Sequence, residues 1–89
     1  MPELLDIDVD ESARAILNAC RRGGLVVRDL GCLKMHPGSR HWHVRRPEGP
    51  GTLEVTEHGG RVWITVKPRW DGGWASSLAR KLAAGRSVD

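Results

Sequence analysis

A chain of 89 residues, 39% apolar and 28% charged, reads as a single globular domain, 1–89, with a thin core, and not as a disordered chain. No apolar run approaches the ~20 residues of a membrane helix. The acidic start, Met1 to Asp6, lacks the basic flank and apolar stretch of a secretory signal, so a cytoplasmic location is expected. The net charge of +3 combines 14 basic and 11 acidic residues, and Glu3, Asp6, Asp8, Asp10 and Glu11 crowd the start. The remainder is therefore more basic than the total suggests. Its cations are mostly arginine, whose planar fork suits phosphate and carboxylate.

Residues 1–9 read as an acidic N-terminal arm in which Leu4, Leu5, Ile7 and Val9 are free to dock elsewhere. A helix follows, capped by Asp8 or Asp10, with Glu11 completing a capping box from Asp8. Ala13, Ile16, Leu17 and Cys20 form its apolar stripe. Arg21 and Arg22 suit its negative end, and Gly23-Gly24 stops it. Cys20 and Cys32 lack C-x-x-C spacing and are expected as small buried hydrophobes.

Leu25 to Arg28 is a short strand-like run, interrupted at Asp29 to Gly31 and possible again over Cys32 to Met35. His36-Pro37-Gly38 reads as a turn. From Arg40 to Arg46 the chain alternates as a strand, with Trp42 and Val44 on one side and His41, His43 and Arg45 on the other. A Pro/Gly cluster over 47–51 turns the chain. Thr52 to Thr56 and Arg61 to Lys67 alternate as two further strands, joined through His58-Gly59-Gly60. A final helix carries Trp74, Ala75, Leu78, Ala79 and Leu82 as its stripe, stops at Gly85, and leaves a polar tail, 86–89.

The expected order is thus α-β-β-β-β-α. The fold class is α+β: a two-layer sandwich of a three- or four-stranded antiparallel sheet with two helices on one face. Its outer sheet face collects His41, His43, Arg45, Thr52, Glu54, Thr56, Arg61, Trp63, Thr65 and Lys67. Trp63 beside Arg61 and Lys67 is a stacking platform for a base. Coverage of Trp63 by the N-terminal arm or by a partner chain is the competing reading. A metal at His41-x-His43, with His36 or His58 added, lacks a cysteine at ligand spacing, and neither metal nor cofactor is expected.

The order of elements and the run Gly38-Ser39-Arg40-His41 resemble HicA-type messenger-RNA interferase toxins of toxin–antitoxin pairs. That family is similar to the double-stranded-RNA-binding fold and carries Gly-Ser-any-His at a strand start. The strand His41 to Pro47, the following turn, Thr52 to Val55 and the closing helix Trp74 to Ala84 look similar too, so about half of the chain is covered. Strand Arg61 to Lys67 and the acidic start lie outside the pattern. The resemblance implies His41 as the catalytic residue, acting on the ribose 2′-hydroxyl as general base or acid.

The leading expectation is a small nucleic-acid-binding protein, RNA favoured over DNA, with a HicA-like ribonuclease as its enzymatic form. His43, Arg45, Arg46, Arg61, Trp63 and Lys67 form the contact face, with His41 as the catalytic candidate. The alternative is a protein-interaction or oligomerisation module that offers the same sheet face to a partner or a second copy.

Overall fold

The computed structural model describes residues 5–32 and 37–85. The elements run β1 (Leu5–Val9), α1 (Ala13–Arg22), β2 (Val26–Gly31), β3 (Arg40–Arg45), β4 (Thr52–His58), β5 (Arg61–Val66) and α2 (Ala75–Ala83), with a one-turn 3-10 helix, Pro68–Trp70, before α2. The class is α+β, with five strands rather than three or four. The antiparallel sheet is ordered β1-β5-β4-β3-β2. Strands β2 to β5 form a meander, β1 adds to the β5 edge, and α1 carries the chain from one edge of the sheet to the other.

The extra strand corrects the reading of 1–9 as an arm. Leu5, Ile7 and Val9 alternate with Asp6 and Asp8, and that period suits a half-buried edge strand. Leu5 lies opposite Val66, Ile7 opposite Ile64 and Val9 opposite Val62. The aspartates consequently point to the other face. There the Thr65 hydroxyl donates to Asp6 at 3.1 Å and Arg61 pairs with Asp8 at 2.7 Å. Leu4 lies outside the described residues, as do the strand continuation over 33–35, His36 and the tail from Arg86.

Because β1 runs through Val9, Asp8 is not available to cap α1. Ser12 does so instead, its Oγ accepting the Ala15 N–H at 3.1 Å. Ile16, Leu17 and Cys20 of α1 and Leu78, Ala79 and Leu82 of α2 bury against Trp42, Val44, Leu53, Val55, Val62, Ile64 and Val66 of the sheet. Both helices thus cover one sheet face, as the alternation requires. Burial in that core pushes the Cys20 thiol up to about 11. Cys32 departs from expectation and is exposed.

Three local devices set the outline. At the β4–β5 hairpin Gly59 and Gly60 take φ of 59° and 81°, the paired positive values that a two-residue hairpin turn needs. In β2 the register shifts between Asp29 and Gly31. The Asp29 carboxylate accepts the Gly31 N–H at 2.7 Å across this bulge, and that bond, with Arg40 beside it, holds the Asp29 carboxyl below its usual range. Ahead of α2, the Asp71 carboxylate accepts the Ser76 N–H at 3.1 Å and the Ser76 hydroxyl at 2.9 Å, which lowers its pKa. The Trp74 indole N–H donates to the Pro50 carbonyl at 2.9 Å. This ties the β3–β4 turn to the start of α2.

Candidate nucleic-acid interface

Strand register fixes what shares the outer sheet face, because residues directly opposite on paired strands point the same way. One row reads Gly31, His41, Thr56, Trp63, Asp8; the next reads Arg28, His43, Glu54, Thr65, Asp6. His41 and His43 therefore meet Thr56 and Glu54 on β4 directly. Trp42 and Val44 face the helices, so the alternation of β3 holds.

His41 is not an open surface imidazole. It is 5% exposed. Its Nε2 lies 3.1 Å from the Ser39 hydroxyl, itself buried, and its Nδ1 lies 3.1 Å from the Thr56 hydroxyl. A hydroxyl both donates and accepts, so this pair satisfies either tautomer of the ring. The Glu54 carboxylate adds Oε1 at 3.7 Å from His41 Nδ1. Its other oxygen accepts the His43 Nε2–H at 3.0 Å. Glu54 thus bridges the two imidazoles. The His43 side chain keeps 30% of its surface in solvent, and its Nδ1 makes no hydrogen bond among the described residues. This is a carboxylate-oriented imidazole with one nitrogen presented outward, the arrangement that proton-transfer sites use.

Aromatic rings flank the cluster. Trp70 meets the His43 ring edge-on at 5.4 Å between centroids. The Lys67 ammonium sits 4.4 Å from the Trp70 centroid, and the Arg61 guanidinium 5.0 Å from that of Trp63. Each distance is within cation–π range. Both tryptophans are half-buried.

The other expected contacts divide. Arg45 is exposed at the end of β3, its guanidinium donating to the Arg46 carbonyl at 3.3 Å. Arg46 is not brought to this face: one residue on, its side chain turns to the helix side and lies 5.5 Å from the Trp74 ring. Arg61 is shared with Asp8. The face is therefore mixed in charge, with Asp6, Asp8 and Glu54 among Arg28, Arg45, Arg61 and Lys67. Among the described residues no group of three metal-ligating side chains is assembled.

Sequence reasoning placed Glu54 and Thr56 on this face without seeing that they bind the histidines, since that needs the β3–β4 register. Trp70 was missed altogether, and a tryptophan two residues past a strand-ending proline carries no signal of its direction. No family model, curated protein or solved structure matches the chain.

Proposed function

We propose that this chain binds single-stranded RNA across the sheet face turned away from the helices. The observation that supports this reading is the pair of half-buried tryptophans, each with a cation over its ring, on either side of the His43–Glu54–His41 cluster. Unpaired bases stack on such rings, and neighbouring cations take the phosphates. Lys67 and Arg45 are the phosphate partners, with Arg61 the weaker because Asp8 already holds it.

Fluorescence anisotropy with a short single-stranded RNA tests this. Trp63→Ala and Trp70→Ala each weaken binding by about 1–3 kcal/mol, the worth of a stacked base. Lys67→Gln lowers the salt slope by about 0.7. Absence of binding by the wild type at low salt ends this reading. A salt-insensitive association with a protein would then leave the face as an interaction module.

A ribonuclease reading is favoured by one specific feature, the outward Nδ1 of His43 behind which Glu54 holds Nε2–H. In RNA bound here, His43 accepts the 2′-hydroxyl proton as that oxygen attacks the adjacent phosphorus. The bond to the 5′-oxygen breaks, that oxygen takes a proton from solvent water as it leaves, and a 2′,3′-cyclic phosphate remains. His43 takes the place that the sequence motif gave to His41, which stands behind Glu54. His43→Ala then abolishes cleavage and leaves affinity nearly intact, whereas His41→Ala lowers it less. Loss of cleavage in His41→Ala alone would restore His41 to the reacting position.

A further inference from the structure

The helical layer presents a second charged surface. Arg14, Arg21 and Arg22 of α1 and Arg80 and Lys81 of α2 are all exposed. Neither helix contains an aspartate, a glutamate or an aromatic residue. Cations at helix C-termini suit the helix dipole, which accounts for four of these five. It does not account for Arg14, which sits in the first turn of α1 and opposes that dipole. Nor does it explain why no acid occurs in either helix.

The cations are arranged along one surface. Arg14 and Arg21 are two turns apart, about 10.5 Å along the axis, and both border a groove that also holds Arg40 of β3. The carboxylates of that groove are Asp29 and Glu57. Asp29 is already engaged by Arg40 at 3.0 Å and by Gly31. A second groove, about 340 Å³, is lined by Gly23, next to Arg22, and by Lys81. The basic end of α1 therefore borders a groove that runs along the first two turns of α2 to Lys81.

We infer that the helical layer binds the phosphate backbone of a nucleic-acid duplex. Charge complementarity is the first argument. The second is what the surface lacks. Neither helix contributes an aromatic ring, but Trp42 and Trp74 border the two grooves, so a single strand is the competing occupant that the parallel arm of the test separates. Among the described residues the helical layer has no exposed large apolar side chain for a lipid surface to take up, since the exposed Val26 and Leu30 belong to β2. Scale agrees: the molecule is 31 Å in its longest dimension, close to the ~34 Å of one duplex turn. This inference does not rest on the sheet-face reading. Where both hold, the two layers grip a duplex and the single strand that leaves it.

The test is anisotropy of a labelled duplex, RNA or DNA, across a salt series, with a single-stranded oligonucleotide run in parallel. Each lost phosphate contact lowers the duplex salt slope by about 0.9. The combined variant Arg14→Gln, Arg21→Gln and Arg22→Gln therefore lowers it by about 2.7 and leaves single-strand binding unchanged. Arg80→Gln with Lys81→Gln lowers it by about 1.8. If the triple variant fails to fold by circular dichroism, Arg14→Gln alone serves, with a slope change of about 0.9. No duplex binding by the wild type at low salt, or variants with the wild-type slope, overturns the inference. So does capture of a polyglutamate peptide in place of the duplex, which would assign an acidic protein. Loss of duplex binding in Trp63→Ala, with the helix variants unaffected, would move the duplex to the sheet face.

Discussion

Trp42 and His41 are neighbours in the chain and both are buried, for unrelated reasons. Trp42 lies in the core beneath α1 and is 6% exposed. His41 points to the other layer surface and is enclosed by Ser39, Thr56 and Glu54. Alternation along Arg40–Arg45 gives the side on which each residue stands, and both sides were legible. It carries no information about what covers a side chain once it is there, so the burial of His41 was not legible. That burial depends on the β4 register and on Ser39 folding back over the ring. Trp42→Ala removes the largest side chain at the sheet–helix seam and costs about 3–5 kcal/mol. Because a domain of this size has only ~5–15 kcal/mol of stability, urea melts of the variant should show a large fall in midpoint. An unchanged midpoint would remove Trp42 from the core.

The elements show where composition misled and where it guided. β1 was hidden because its outward positions are aspartates, and a run of acids at a chain start reads as a solvated arm. Its inward positions, Leu5, Ile7 and Val9, already carried the strand period. α1 was placed correctly by its apolar stripe and misplaced only in its cap, by the two to four residues that the unseen strand consumed. The β2 edge was read as a broken run, and the break is a bulge. Its inserted residue and the charges of Arg28 and Asp29 blunt an edge that would otherwise pair with another chain. α2 depends on Asp71, which receives the Ser76 N–H and hydroxyl. Asp71→Ala lowers stability by about 1 kcal/mol, checked by thermal melts. Since the folded-state pKa of Asp71 lies below its ordinary 3.8, this contribution is present above pH 3.8 and fades as pH falls through the lower, folded value. The wild-type and variant melting temperatures therefore converge in acid. A gap that persists in acid would assign the effect to something other than the carboxylate.

At the scale of the molecule, the two layers divide their chemistry. The sheet face mixes acids, imidazoles and tryptophans, whereas the two helices carry cations and no acid, with Asp29 and Glu57 of the sheet at the edge of their groove. The two-layer plan was legible because three strands alternate cleanly and two helices offer the apolar stripes to cover them. The division of charge was only partly legible. It depends on β1 placing Asp6 and Asp8 beside Arg61 and Trp63, and so on a strand pairing between residues 53 positions apart. The β2–β3–β4–β5 meander is joined by short connections, whereas β1 is held by one partner strand and by α2. Elements held by fewer strand neighbours open at lower free energy. Native-state hydrogen exchange should show the β1 amides exchanging ahead of those in β3 and β4. Equal protection throughout would mean that the sheet opens as one unit.

The placement of β1 also has a consequence in time. On the ribosome, at about 5–20 residues per second, the 53 residues from Asp8 to Arg61 take roughly 3–11 s to be made. Throughout that interval β1 has been or is being made and has no β5 to join. The nascent chain must carry an unmatched strand for seconds, long after local turns have settled. Its outward aspartates keep that waiting segment charged, and like-charged strands repel one another on neighbouring nascent chains.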